Sequence, residues 1–288
     1  MENPYERYEI LLAPVRPTSE LWRLAVGLVG FLFLFLVGSQ FYFAAFAGIF
    51  LSDPDVILPQ TTLLVLFHFV VWIAALSAVL HALHKRTLLS LIGPHPQMHA
   101  LFLRCIWAVM LLYLAVALLP PYGPEALPNP NIEFTQWLGI VPFAIIGLLI
   151  QTSAEELLFR GYIQSQLAAR FRSPIIWMMV PSFLFASLHY SPAYGEAATW
   201  VVIWSFTFGI LVADLTARTG SLIPAIALHF GINVLGMLWM GSAEQLGGLA
   251  LYHSPYCAQE WAETPALLMA EFLILLCGWL VVRIAVRR

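Results

Sequence analysis

The stretch Glu155-Glu156-Leu157-Leu158-Phe159-Arg160 puts three charges into six residues near the end of an apolar run covering 136–168. A helix needs about 20 apolar residues to cross the hydrocarbon core of a bilayer. The run is that long, so the three charges are expected inside a membrane span, where charges are costly and usually mark function. Working outward, seven more apolar segments lie at 21–50, 61–83, 98–119, 174–190, 198–217, 221–240 and 264–285. The expected fold is an all-α integral membrane protein with about eight transmembrane helices.

Composition points the same way. Of 288 residues, 61% are hydrophobic and 10% charged, and the mean hydropathy is +0.84. Soluble domains are nearer half apolar and a quarter charged. Turn chemistry fills the breaks: Asp53-Pro54-Asp55, Gly93-Pro94-His95-Pro96, Pro120-Pro121-Tyr122-Gly123-Pro124 and Pro128-Asn129-Pro130. No repeat, low-complexity tract or soluble domain is visible, and the longest gap is 241–263. Cys105, Cys257 and Cys277 form neither a disulfide framework nor a CxxC metal site.

The positive-inside rule gives an orientation. With the N-terminus in the cytoplasm, Arg7, Arg16, Arg23, Lys85, Arg86, Arg104, Arg160, Arg170, Arg172, Arg218, Arg283, Arg287 and Arg288 all fall on the inner side. They are all 13 basic residues. The opposite loops hold only acids: Asp53, Asp55, Glu125, Glu133, Glu196, Glu244, Glu260 and Glu263. One missed or invented helix would break this alternation, so both termini are expected in the cytoplasm. Ala45-Phe46-Ala47 imitates a signal-peptide cleavage site, but the preceding apolar run exceeds the 7–15 residues of an h-region. It is read as a retained span.

Two further spans carry ionisable groups: Phe185-Ala186-Ser187-Leu188-His189 and His229-Phe230-Gly231-Ile232-Asn233. The four-residue step from His229 to Asn233 stacks both side chains on one helical face. Glu156 and Arg160 are likewise i and i+4, with the acid first, the favourable order for a pair. Glu155 lies about 100° around the helix from Glu156, so the two carboxylates have different environments. Glu155 is 17 residues before Arg172 and His189 is 17 after it. In a helical hairpin turning there, both lie about 25 Å from the turn.

These three motifs, each in its own span, resemble the CPBP family (CAAX protease and bacteriocin-processing, also called Abi) of intramembrane endopeptidases. The flanking Leu158-Phe159-Arg160-Gly161-Tyr162-Ile163-Gln164 and Thr219-Gly220-Ser221-Leu222-Ile223-Pro224-Ala225-Ile226 agree with it. The resemblance implies a catalytic core at 150–240 in helices 4, 5 and 7. Residues 1–149 then supply helices 1–3 and the start of helix 4, and 241–288 an outer loop and the last helix. It also implies a glutamate-dependent protease that needs no cofactor. Glu155 is expected as general base, with His189 helping to bind and polarise water. His229 and Asn233 are expected to donate to the oxyanion. Glu156 and Arg160 are expected as a supporting pair.

Two rival readings stay open. Two glutamates, two histidines and an asparagine could bind zinc in a metalloprotease, although there is no His-Glu-x-x-His and catalytic zinc normally has three strong ligands. The polar cluster could instead serve a non-catalytic membrane scaffold or immunity protein, or a substrate path in a transporter. Polar side chains join membrane helices by only about 0.6 kcal/mol each, too little to explain their concentration in three spans. Transporters tend to show repeats or broken helices in both halves.

Other ionisable residues are read as structural. His68, His81 and His84 are expected to pack or lie at an interface, His95 and His99 to be solvated, and Asp214 to serve Arg218. Glu271 is expected to snorkel or line the cavity. Trp22, Trp107, Trp137, Trp200, Trp239 and Trp261 fall near span ends, as an aromatic belt would. Glu20-Leu21-Trp22-Arg23 and 87–97 read as interfacial entry segments. The expected partners are the bilayer and a protein or peptide substrate, lipid-modified or not, with no nucleic acid. A bacterial cytoplasmic (inner) membrane is the expected location.

Overall fold

The computed structural model describes residues 4–50, 58–93, 97–119, 126–242 and 247–287. The turn signals at 53–55, 94–96 and 120–124 lie outside the described residues, as do His95, Glu125, Glu244 and Arg288. The apolar segments fold as helices α1 (Leu21–Ala45), α2 (Pro59–His84), α3 (Met98–Leu118), α4 (Phe134–Arg170), α5 (Pro174–Ser187), α6 (Ala197–Thr219), α7 (Ile223–Trp239) and α8 (Pro265–Ala285). Proline in the first turn opens α2, α5, α7 and α8, where its missing N–H costs nothing. A reciprocal Glu133–Gln136 capping box opens α4.

Six of these helices are long and apolar enough to cross a membrane; α5 and α7 are shorter. Helix α5 was expected to reach 190 but stops at Ser187, after 14 residues. Ser191 precedes Pro192 and is extended, at φ −136° and ψ 127°. Before it, the N–H groups of Leu188, His189 and Tyr190 bond back three residues, to the Phe185, Ala186 and Ser187 carbonyls, so the last turn tightens and the α-helix ends ahead of the extended residue that proline requires. At 1.5 Å per residue α5 covers about 21 Å, less than the roughly 30 Å of a hydrocarbon core. Helix α1 ends at Ala45 rather than 50, and a short helical piece, Ala47–Phe50, follows.

The surface is what a bilayer requires. Helix α1 exposes 70% of Val29 and 75% of Phe41, and α3, α5 and α8 also carry exposed large apolar side chains. So much exposed apolar surface would be an aggregation hazard in water. Six spanning-length apolar helices with such faces, in a chain of this composition, make an integral membrane protein. Helices α4 and α7 are different: Glu155–Leu167 and Ile223–Gly231 are buried all round. Helix α4 packs on α2 and α7, α7 on α3 and α6, and α5 on α6. The polar motifs therefore face protein, not lipid.

The gap at 241–263, expected as loop, contains structure. Three two-residue strands form a small sheet: β1 (Leu127–Pro128), β2 (Met240–Gly241) and β3 (Tyr252–His253). Central β3 runs antiparallel to β1 and parallel to β2. Buried Asn129 donates to the Gly247 and Ala250 carbonyls at 3.3 and 2.8 Å, and Trp137 Nε1 reaches the Leu238 and Leu249 carbonyls at 3.1 Å each. The fold is thus nearly, not entirely, helical.

At the other end of the bundle both ends of the described chain meet on Asp214. Tyr5 Oη donates to Asp214 Oδ1 at 2.9 Å, Trp279 Nε1 to Oδ2 at 3.0 Å, and Arg218 Nε lies 2.8 Å from both oxygens. Burial, then the Asp214 charge, pushes the Tyr5 hydroxyl above its ordinary pKa, which keeps it a donor. Gly220 closes α6 at φ +64°, and a side chain there would collide with the Arg7 carbonyl. His84, expected at the inner end of α2, is 3% exposed, with Nε2 3.0 Å from Tyr162 Oη and Nδ1 3.0 Å from Thr18 Oγ1. His68 Nε2 lies 2.8 Å from Ser39 Oγ and ties α1 to α2. His81 is exposed.

Candidate active site

The site begins where α4 changes its winding. The α-helical ladder runs to Glu156, and Leu157–Gln164 continue as a π-helix. Such wide turns recur at functional sites because they re-aim side chains without breaking a helix. Glu156 and Arg160 still meet, with Arg160 Nη1 donating to Glu156 Oε1 at 3.0 Å and both side chains fully buried. Arg160 Nε and Nη2 have no hydrogen-bond partner among the described residues. They face aromatic rings instead: the guanidinium carbon is 4.6 Å from the Phe185 centroid, 5.8 Å from Phe208 and 5.9 Å from Phe159. Cation–π attraction is strongest where the cation is desolvated, so this cage offsets part of the cost of burying Arg160.

Helix α7 brings His229 between the two carboxylates. Its Nδ1 is 2.8 Å from Glu156 Oε1, and its Nε2 is 3.6 Å from Glu155 Oε2. Phe208 and Phe185 stand edge-on to the imidazole at 4.8 and 6.0 Å. Glu155 is held through its other oxygen: Gln151 Nε2 donates to Oε1 at 2.8 Å. Asn233 Nδ2 in turn donates to Gln151 Oε1 at 2.9 Å. A continuous polar chain therefore runs Asn233–Gln151–Glu155–His229–Glu156–Arg160. Within it, Glu155 Oε2 and Glu156 Oε2 lack a hydrogen-bond partner among the described residues.

His189 joins differently. It lies in the turn just past α5, half-buried, with Nδ1 2.9 Å from the Phe185 carbonyl and its ring 4.5 Å from the Phe185 ring. A carbonyl can only accept, so in the neutral ring Nδ1 carries the proton and Nε2 keeps its lone pair. Because α5 is short, His189 stops well before the far end of a bilayer-length helix.

Glu155, Glu156, Arg160 and His229 thus touch directly, Asn233 connects through Gln151, and His189 through Phe185. Two members were not foreseen. Gln151 had a signal in the sequence, a long polar residue one turn before Glu155 in an apolar helix. Phe208 had none, since it is one apolar residue among many on α6. No three His, Cys, Asp or Glu side chains among the described residues group around a point where a metal ion could sit. The two nitrogens of His229 address different carboxylates, on opposite sides of the ring.

Comparison with known proteins covers the segment that carries this chain of contacts. Residues 136–235 match the family described as type II CAAX prenyl endopeptidase Rce1-like. The match establishes, over α4 to α7, the family resemblance that the three motifs carry. A curated relative, the uncharacterized protein YyaK of Bacillus subtilis (strain 168), is 24% identical over 236 residues, covering 77% of this chain and 79% of its own. No solved structure matches.

Proposed function

We propose, from a core that falls in a CAAX-type protease family, that this chain is an intramembrane endopeptidase in which Glu155 activates water. One observation carries the reading. Glu155 is 9% exposed, one of its oxygens is fixed by Gln151, and the other has no hydrogen-bond partner among the described residues and faces His229 at 3.6 Å. A carboxylate oriented through one oxygen is poised to use the other.

Glu155 Oε2 takes a proton from water as the water oxygen attacks the scissile carbonyl. His189 Nε2, the lone-pair nitrogen, accepts a hydrogen bond from the same water and orients it. His229 and Asn233 stabilise the oxyanion, and the proton on Glu155 then passes to the leaving amine. Glu156 and Arg160 fix α4 against α7 so that Glu155 and His229 stay opposed.

The substrate class follows from the setting: a peptide bond in a membrane-associated segment, of which a prenylated C-terminus is one form. The topology we propose is eight passes with α5 and α7 as short members, both termini cytoplasmic, in a bacterial inner membrane. No metal is needed in this scheme, since the nitrogens of His229 point to separate carboxylates rather than converge.

The test uses the purified full chain in detergent with a quenched-fluorescence peptide bearing a farnesylated C-terminal CAAX sequence. Glu155→Gln is expected to lower cleavage at least about 10³-fold while the protein stays folded in the membrane. Cleavage is expected to persist with EDTA. Unchanged cleavage by folded Glu155→Gln overturns the glutamate mechanism. Loss in EDTA with rescue by zinc favours the metalloprotease instead.

A further inference from the structure

We propose that a cavity of about 570 Å3 at the Asp214 end of the bundle binds the phosphate group of an anionic phospholipid headgroup. Its wall carries four arginines, Arg7, Arg218, Arg283 and Arg287, with Glu6 as its single acid. Arg218 is bound to Asp214 just behind the wall. Among the described residues no carboxylate pairs with Arg7, Arg283 or Arg287. Glu6 and Asp214 therefore offset two of four guanidinium charges, and a charge of about +2 faces the cavity. Guanidinium forks match phosphate oxygens in geometry as well as charge.

Position selects a lipid over a soluble anion. Arg218 stands in the last turn of α6 and Arg283 in the last turn of α8. Both helices are of spanning length, so their last turns lie where hydrocarbon gives way to headgroups. The Arg283 guanidinium lies 4.5 Å over the Trp279 ring, an arrangement suited to that boundary. Leu215 and Val286 add apolar wall to the same cavity. Basic pockets between transmembrane helices are a recognised way of holding anionic headgroups. The N-terminal segment, which contributes Arg7 and hangs on Asp214 through Tyr5, would be fastened to α6 and α8 by the bound lipid.

A neighbouring cavity of about 600 Å3 supplies the control. It lies on the other side of the N-terminal segment and carries Arg16, Arg170 and Arg172. There Arg16 is taken by Glu9 at 2.6 Å, and both Glu6 and Glu9 line the wall. It is basic but nearly balanced.

The experiment measures bound lipid by native mass spectrometry, and the thermal midpoint, for the full chain in zwitterionic detergent. Phosphatidylglycerol, phosphatidylcholine and inorganic phosphate are added in separate arms. The expected result is retained phosphatidylglycerol and a raised midpoint in that arm alone. Arg7→Gln/Arg287→Gln should weaken retention by 10-fold or more, on the order of what two charge-assisted contacts supply. Both residues are exposed, so the variant should fold. Arg170→Gln/Arg172→Gln, also exposed, should keep wild-type retention. Equal retention of phosphatidylcholine, unchanged retention in Arg7→Gln/Arg287→Gln, or equal loss in the control pair overturns the site. An equal midpoint shift with inorganic phosphate overturns the lipid assignment.

Discussion

His229 and Glu156 are joined by a 2.8 Å contact between Nδ1 and Oε1, although 73 residues separate them in the chain. That contact sets the rotation of α7 against α4. It turns the other face of the imidazole toward Glu155. A pair that reads in the sequence as Glu156 with Arg160 is therefore a triad, and its third member also faces Glu155.

Removing Glu156 should cost stability before it costs chemistry. Glu156→Gln leaves Arg160 charged and fully buried, facing a neutral amide and phenyl rings in place of its carboxylate partner. Breaking such a pair from one side typically costs about 3–5 kcal/mol. Thermal unfolding in detergent should show this as a large drop in midpoint. Glu156→Leu combined with Arg160→Met should recover much of it, because no buried charge is then left unpaired.

Gln151→Leu keeps the volume of the side chain but removes both hydrogen bonds, to Glu155 and from Asn233. The carboxylate remains and its aim is lost. If Glu155 is the base, kcat should fall by about 10²-fold, the usual cost of a misplacement near 1 Å, with KM little changed. A change confined to KM would make Gln151 a substrate contact instead.

Asn233→Ala removes the far end of the same chain. An oxyanion donor is worth about 10²–10³ in rate. If Asn233 is such a donor, steady-state kinetics should show that loss in kcat and in kcat/KM together, since the contact would form only in the transition state. Gln151→Leu/Asn233→Ala should lose less than the two single losses combined, because the residues are hydrogen-bonded to each other.

The packing of α5 on α6 should be sensitive at one point. A Cβ added at Gly209 would lie 2.8 Å from Ser182 Cβ and 3.0 Å from its Cα. Gly209→Ala must push the helices apart, and with them Phe185 and Phe208. The expected destabilisation is about 1–3 kcal/mol, read as a lower thermal midpoint. Adding Ser182→Gly should restore part of it by making room for the methyl group.

Much of this was legible in the residues themselves, for physical reasons that differ from element to element. Run length and composition determined a helical membrane protein, because in lipid a backbone can satisfy its hydrogen bonds only within closed secondary structure. The i,i+4 step determined that Glu156 and Arg160 meet, because neighbours on one helix need no tertiary information. The three polar motifs marked the helices that had to be buried, because lipid does not solvate them. Other features needed the folded chain. The stop of α5 at Ser187 and the small sheet at 240–253 depend on turns that hydropathy does not register. The bond from Asn233 to Gln151 spans 82 residues, and the cage of Phe159, Phe185 and Phe208 around Arg160 draws on three helices. Apolar periodicity says which segments are helices; it does not say how each is rotated about its axis. That rotation is decided by packing among all the helices at once. It alone gave His229 a carboxylate on each side, Glu155 at Nε2 and Glu156 at Nδ1.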